Sequence, residues 1–320
     1  MNRGTDSRNP IRYTGCSQSV LLIGGNGFIG THVADMLVRE GHRVTVLDRS
    51  ACRSVNADAC RHFQGELTDK GLLDRALQGV DSVVHLAGSG TPGTSGQDPE
   101  EDIRRNLLPL FPLLEAMRAR KVSRLVYFSS GGAIYSGQSA APFRELTPLG
   151  PRTSYGVLKV AAEHYLQIEA RNSGLRLTIM RPSNPFGPYQ NKIGVQGVIG
   201  TMLWRVARQE PIEIWGDGTV RRDYVYVTDV AGFCVSALAR DITGVFNVGS
   251  GKAHSLNEVI ATICGVTGTL PDVRYMPGRA CDAPLNWLDC SAAERETGWT
   301  AQFGLEDGIA RTWDWVRGDA

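Results

Sequence analysis

Tyr155-Gly-Val-Leu-Lys159 pairs a phenol with an ammonium at a spacing that sets both on one face of a helix. A free phenol titrates near pH ~10 and is a poor base at neutrality. Bringing its pKa near ~7 takes about three units, roughly 4 kcal/mol. Nearby positive charge supplies that by favouring the phenolate. The same pair on a solvated helix is worth only ~0.3 kcal/mol and does no chemistry. Its meaning therefore depends on what the residues before it build.

Those residues read as a nucleotide site. Val20–Ile23 is a short apolar run fitting a buried parallel strand, followed directly by Gly24-Gly-Asn-Gly27-Phe-Ile-Gly30 and a helix over Thr31–Glu40. Gly24 permits the tight turn, Gly27 lets backbone approach a pyrophosphate at the helix N-terminus, and Gly30 lets helix and strand pack closely. The next strand, Arg43–Asp48, ends in a carboxylate 18 residues after Gly30, where a ribose-binding acid belongs. An acid there favours NAD because it repels a 2′-phosphate; Arg49, directly after it, keeps NADP open.

Strands and helices alternate from there. Phe63–Asp69 reads as a strand and turn carrying Glu66 and Leu67, and Val80–Gly88 as a strand whose small end lets a flat cofactor lie across it. Residues 89–99 are loop by composition. A helix over Asp102–Lys121 carries Asn106, and Pro109 and Pro112 require it to kink or start late. Leu125–Ser130 and Leu175–Met180 are further strands. The pattern predicts an α/β fold: a doubly wound parallel (Rossmann) sheet, with ligands at the carboxyl ends of its strands. Beyond about residue 183 the texture turns to Pro, Gly and aromatics. We expect a disordered tail over 1–18 and an NAD-binding domain over 19–183, with 225–250 returning to it. Residues 184–224 and 251–320 form a smaller α+β substrate-binding C-terminal domain, in which Ser255-Leu-Asn-Glu258 is a capping box opening a helix.

The bulk composition excludes several classes. Net charge is +1 over 320 residues, so no global field draws nucleic acid or membrane. No apolar run approaches the ~18 residues that span a bilayer. The seven cysteines are scattered without C-x-x-C, which fits reduced thiols in a cytoplasm rather than a disulfide framework, and the six histidines show no metal-ligand spacing. Five of the 34 basic residues are Lys and the other 29 Arg, a choice suited to gripping phosphate at defined points.

Taken together, the glycine fingerprint, His85-Leu-Ala-Gly88, Asn106, Ser129-Ser130-Gly-Gly-Ala-Ile-Tyr135, the Tyr155/Lys159 pair, Asn184-Pro-Phe-Gly187, Arg222-Asp-Tyr224 and Phe246-Asn-Val-Gly249 occur in the order that resembles the extended short-chain dehydrogenase/reductases, within their nucleotide-sugar epimerase/dehydratase group. The likeness covers about residues 20–316 and is greatest to UDP-sugar 4-epimerases. It implies a tightly held, recycled NAD, contacted by Gly24, Gly27, Phe28, Ile29, Gly30 and Asp48 at the first strand–helix turn. Further contacts come from Glu66, Leu67, Leu86, Ala87, Gly88, Asn106, Tyr155, Lys159 and Ser183. Tyr155 is then the base, Lys159 sits on the nicotinamide ribose, and a 4-keto sugar forms and is reduced on its other face. One departure stands out: the slots where the group places a Ser or Thr beside the base are Gly131 and Ala133 here, leaving Ser130 as the nearest hydroxyl. The sugar 4,6-dehydratases place an Asp-Glu pair in this stretch, and Gly132-Ala133 does neither of its jobs.

For the sugar nucleotide, the resemblance implies Arg222 and Arg279 on the diphosphate, with Asn184 beside them. It further implies Asp282 on a ribose or linker, Trp215 near the uracil, and Asn286 where residue size separates plain from N-acetylated hexoses. It also implies a homodimer through the helices carrying Asn106 and Tyr155. Two other readings stay open: a 4-ketoreductase using exchangeable NADPH, and a regulatory module that binds nucleotide without turnover.

Overall fold

A computed structural model describes residues 17–52, 57–88, 95–135, 141–190, 197–278 and 284–319. The chain begins with β1 (Ser19–Ile23), α1 (Phe28–Arg39), β2 (Arg43–Asp48), β3 (Cys60–Gln64), α2 (Lys70–Ala76) and β4 (Ser82–His85). It continues through α3 (Pro99–Asn106), α4 (Leu110–Ala119), β5 (Arg124–Phe128), α5 (Gly131–Ile134), α6 (Ser154–Ser173) and β6 (Arg176–Pro182). The remainder is β7 (Asn184–Phe186), α7 (Val198–Ala207), β8 (Ile212–Trp215), β9 (Arg221–Tyr226), α8 (Val227–Ala239), β10 (Gly244–Val248), β11 (Ala253–Ser255), α9 (Leu256–Thr267), β12 (Val273–Met276), β13 (Leu285–Asn286), α10 (Ser291–Thr297) and α11 (Leu305–Asp319).

Seven strands form one parallel sheet in the order β10-β6-β5-β4-β1-β2-β3. Alternate side chains of each strand point to opposite faces, and both faces are apolar. From β1, Val20 and Leu22 join Val33 and Leu37 of α1 and Phe233 of α8 on one side. Leu21 and Ile23 join Leu73, Leu113 and Leu166 of α2, α4 and α6 on the other. Burying such an aliphatic side chain is worth about 1.5–3 kcal/mol, so two dry faces hold the sheet and leave only its strand ends free for ligands. The order reverses direction at β1, with β2 on one side and β4 on the other, and the crevice opens there.

A second core lies under β8, β9, α7, α9 and α11, with Phe186, Trp204, Tyr224, Ile263 and Val316 in contact. Strands β7, β9, β11 and β13 make a small mixed sheet, and β8 pairs with β12. The Ser255–Glu258 capping box is formed in both directions, at 3.1 and 2.8 Å.

Two local expectations change. The helix expected over 102–121 is two helices. Pro99 opens the first behind an Asp98 cap, whose side chain accepts from Glu101 N at 3.0 Å. Pro109 stands just before the second, where its missing N–H costs nothing. Within the expected tail, residues 1–16 lie outside the described residues, while Ser17 and Gln18 are tied down, Ser17 Oγ donating to Gly41 O at 2.7 Å and Gln18 N to His42 Nδ1 at 3.1 Å.

Candidate active site

A cavity of about 800 Å³ runs from the β1–α1 turn, past Ser130, Tyr155 and Lys159, to Trp215 and Arg222 in the second lobe. At its first end the space exists because side chains do not. Gly24 has φ +81°, and a Cβ there would lie 2.7 Å from Ala87 N. A Cβ on Gly30 would collide with Gly24 O and lie 2.7 Å from Gly25 Cα. No side chain caps the α1 N-terminus and no acid stands in its first turn, so Phe28 and Ile29 line the cavity with amides available to an anion.

Asp48 is not itself among the described lining residues; it stands behind this end, bonded to Asn26 and Ser50, which are. One carboxylate oxygen accepts from Asn26 N at 3.0 Å; the other accepts from Ser50 N and Ser50 Oγ at 2.9 and 2.8 Å. Three of about four acceptor positions are thus used to fix the carboxylate, leaving room for one hydroxyl donor. Leu86 and Gly88 line the cavity, and Ala87 backs Gly24. Glu66 is exposed and 3.8 Å from Arg49, while Leu67 packs against the core; neither is among the described residues lining the cavity. Ser183 is 5% exposed with a hydroxyl that has no partner in the structure, and it faces the cavity.

At the centre, Tyr155 and Lys159 follow each other on α6, whose Thr153 cap accepts from Gly156 N at 3.2 Å. The Lys159 ammonium lies 5.7 Å from the Tyr155 ring centroid and donates to Phe128 O at 2.8 Å. Burial lowers its pKa to about 8, against the opposing charge of Glu163 one turn on. The Tyr155 phenol does not show the downward shift expected from the Tyr–Lys spacing. Burial raises it, and a hydrogen bond with Ser130 lowers it by less. Lys159 is desolvated and committed to a carbonyl, so it does not activate the phenol by itself. Behind the pair, Glu163 receives Arg181 through two hydrogen bonds, 3.0 and 2.6 Å, and Arg181 also donates to Tyr135 Oη at 2.9 Å. His85 is buried and held far below its usual range by burial and then by Lys159, so it stays neutral.

Leu288 accounts for one of the two slots without a hydroxyl, Gly131, while Ala133 lines the cavity with its methyl group. A Cβ on Gly131 would lie 2.6 Å from Leu288 Cδ1 and 2.9 Å from Arg181 O. No side chain fits there, and the hydroxyl beside the phenol comes from Ser130 instead.

In the second lobe Asn184 donates to Asp223 O at 2.8 Å and lines the cavity with Trp215 and Arg222. Asp223 is fully buried and accepts from Ser250 N, Ser250 Oγ, Gly251 N and Leu288 N at 2.7–3.3 Å, which fixes β9 under Arg222. Asn286 is not among the described lining residues. It is 5% exposed, its Nδ2 is 3.4 Å from Gly132 O, and its Oδ1 is buried without a partner. Arg279 and Asp282 fall outside the described residues.

Residues 20–249 match the NAD dependent epimerase/dehydratase family. The chain belongs to that family. A putative UDP-glucose 4-epimerase of Methanocaldococcus jannaschii is 32% identical over 93% of this chain and 98% of its own. Among solved structures, the Thermus thermophilus UDP-glucose 4-epimerase in complex with NAD superposes with a TM-score of 0.87 at 34% identity, covering 94% of this chain and 100% of its own. The Thermotoga maritima UDP-glucose 4-epimerase with UDP-glucose has a TM-score of 0.88 at 31% identity, covering 94% and 99%.

The residues present fit the family's NAD: a cradle that a Cβ would fill, an uncapped helix N-terminus, the braced Asp48 carboxylate behind it and the unpartnered Ser183 hydroxyl. Several residues that shape the site gave no sequence signal of their own. Asn26 and Ser50 brace Asp48 and line the cavity, Gln190 lines it with a buried, unpartnered Oε1, and the Glu163–Arg181 pair backs Lys159. Asn26 alone sat in a recognisable place, inside the glycine motif.

Proposed function

We propose that this NAD-dependent enzyme epimerises a UDP-hexose at C4, with Tyr155 as the base, Ser130 as its hydroxyl partner and Lys159 as its fixed cation. The observation that carries the reading is the meeting of these three groups midway between the glycine cradle and Asn184, Trp215 and Arg222. Gly24, Phe28, Ile29, Gly30, Asp48 and Ser183 hold NAD, which when bound supplies a positively charged hydride acceptor that returns what it takes. Its charge adds to that of Lys159, and together they oppose the burial that keeps the phenol protonated. Tyr155 takes the proton of the C4 hydroxyl while Ser130 holds that oxygen in line, and gives it back after the 4-keto sugar has turned over. Arg222 meets the diphosphate bidentately and Trp215 covers the base.

Among the described residues lining the cavity, none near the phenol takes the sugar further. Among the described lining residues Glu213 is the one carboxylate, and it sits on β8 beside Trp215. That leaves oxidation and its reversal, the chemistry of a 4-epimerase, as in the Thermotoga and Thermus enzymes.

Incubating the purified protein with UDP-glucose, UDP-galactose and their N-acetylated counterparts, without added cofactor, tests this directly. We expect interconversion of at least one pair, NAD released on denaturation, and Tyr155→Phe that keeps NAD while losing at least ~10³-fold in kcat. Turnover retained by Tyr155→Phe removes Tyr155 as the base.

We further propose a cytoplasmic homodimer. No helix among the described residues is long and apolar enough to cross a membrane. Phe111 of α4, Tyr165 and Ile168 of α6, and Leu108 in the turn before α4 are exposed at 40–46%, with the Phe111 and Tyr165 rings edge to face at 5.1 Å. An apolar patch of that kind fits a second copy of itself, which sedimentation reads.

A further inference from the structure

The base sits at the second position of α6, so its placement depends on what holds that helix end. Two ties reach it from the connection between β4 and α3. Ser95 Oγ accepts from Tyr155 N at 3.1 Å, satisfying one of the amides that a helix N-terminus leaves open. Asp102, in the first turn of α3, accepts through a single oxygen from Ser154 Oγ and from Gly96 N, both at 2.9 Å. Ser154 directly precedes the base, and Gly96 directly follows Ser95. One carboxylate oxygen therefore gathers both ends of the tie.

Asp102 reaches the cofactor side as well. Its main-chain oxygen accepts from Asn106 Nδ2 at 2.9 Å, which sends the other end of that amide inward. A Cβ built on Gly88 would lie 3.9 Å from Asn106 Oδ1 and 3.8 Å from Lys159 Nζ. Through Ser154 on one side and Asn106 on the other, Asp102 is bonded to residues flanking the Tyr155–Lys159 pair, and it is not among the described residues that line the cavity.

We propose that Asp102 is a positioning residue for the 4-epimerisation read above: its carboxylate fixes the Ser95–Gly96 segment to Ser154 and so sets the Tyr155 phenol against Ser130 and the sugar C4. The inference rests on that reading for its kinetic consequence, and on the structure alone for its effect on helix order. Misplacing a reacting group by about 1 Å costs on the order of 10²-fold in rate without weakening ground-state binding. An amide oxygen can accept the same two hydrogen bonds, so Asp102→Asn should preserve the arrangement and Asp102→Ala should release it.

The experiment compares the wild-type protein with Asp102→Ala, Asp102→Asn, Ser154→Ala and Ser95→Ala. In Asp102→Ala we expect kcat to fall about 10–100-fold, with KM for the UDP-sugar and the copurified NAD content both within about twofold of wild type. Asp102→Asn should recover kcat to within about threefold. Amide hydrogen exchange across residues 153–157 should quicken about tenfold or more in Asp102→Ala and Ser95→Ala. A purely structural role would lower kcat, NAD content and melting temperature together, and the Asn variant would not split them. Asp102→Ala with kcat within twofold of wild type, or with unchanged exchange, overturns the proposal, as does Asp102→Asn as impaired as Asp102→Ala. Should Asp102→Ala fail to fold, Ser154→Ala and Ser95→Ala each remove one tie: a loss of about threefold or more in kcat at constant KM supports the proposal, and no change overturns it. The exchange result does not depend on turnover. A wild-type protein inactive on every UDP-sugar refutes the functional reading and leaves that arm standing.

Discussion

At the cofactor end of the cleft the shape is set by missing atoms; at the sugar-nucleotide end it is set by projecting ones. The first end is backbone: Gly24 in a left-handed turn against Ala87, Gly30 pressed on the β1–α1 turn, and an uncapped α1 N-terminus. The second is assembled from Trp215 on β8, Arg222 on β9 and Asn184 on β7, with Asn286 on β13 behind them. These side chains come from four strands, of which β7, β8 and β9 contribute to the second core. A backbone cradle admits few sequences and one class of ligand. A side-chain wall can be altered one residue at a time while the fold stands, so substrate choice belongs at that end.

The largest effect that breaks this contrast is at Gly30. Because the added methyl of Gly30→Ala meets backbone on two sides, no rotamer relieves it and α1 must lift from β1. We expect a loss beyond the ~1–3 kcal/mol usual for overpacking and a protein that purifies without NAD. A variant with wild-type NAD content and melting temperature would show that the cradle is not set by close packing.

The contrast also explains what could be read from the chain beforehand. A motif built on the absence of Cβ can hold few other residues, so Gly24, Gly27 and Gly30 announce themselves, as does the carboxylate ending β2. The strands were legible for a related reason: a parallel strand buried on both faces must be an apolar run, and Val20–Ile23 and Leu125–Phe128 are. Tyr155 and Lys159 were legible through helical spacing. The bonds that tune them were not. Glu163 to Arg181 spans 18 residues and Ser154 to Asp102 spans 52. Such partners are chosen by packing between elements, which carries no local period. The break between α3 and α4 was half legible: Pro109 marked a disturbance, but the real start lay earlier, at Asp98-Pro99, within a stretch whose composition reads as loop. Leu288 filling the space beside Gly131 needed the folded structure altogether.

Lys159 stands where the two ends meet, and its charge offers a smaller, pH-dependent test. Its folded pKa is about 8 against an ordinary value of 10.5, burial being the cause. Between those values the unfolded chain binds the proton and the folded protein does not. Unfolding then takes up a proton, and stability rises with pH across that window. The full contribution is about 3 kcal/mol at roughly 1.36 kcal/mol per unit. Lys159→Met should therefore remove most of the wild-type gain in denaturant midpoint between about pH 8 and pH 10. Parallel stability–pH curves for the two proteins would mean that the ammonium is not penalised by burial as the geometry requires.

The smallest effect sharpens the comparison at the sugar-nucleotide end. We propose that Asn286 governs whether an acetamido group is accepted, although it lies behind the cavity wall. Its Nδ2 leans on Gly132 O, and Gly132 lines the cavity next to Asn184. Its Oδ1 is buried with no donor of its own, a cost of about 1–3 kcal/mol that a ligand N–H would remove. Gly132 adds no side chain between the two, and a Cβ there would already crowd Ser183 O at 3.3 Å. Asn286 is 5% exposed and its side chain contacts Gly132, so we expect added bulk at 286 to press on Gly132 and the cavity. Asn286→Tyr should then lower kcat/KM for UDP-N-acetylglucosamine about tenfold relative to UDP-glucose, roughly 1.4 kcal/mol of discrimination, with NAD content unchanged. Equal losses on both sugars would mean that Asn286 merely supports the wall. An unchanged ratio, or strict rejection of the acetylated sugar by the wild-type protein, would return the choice of substrate to the side chains that line the cavity directly.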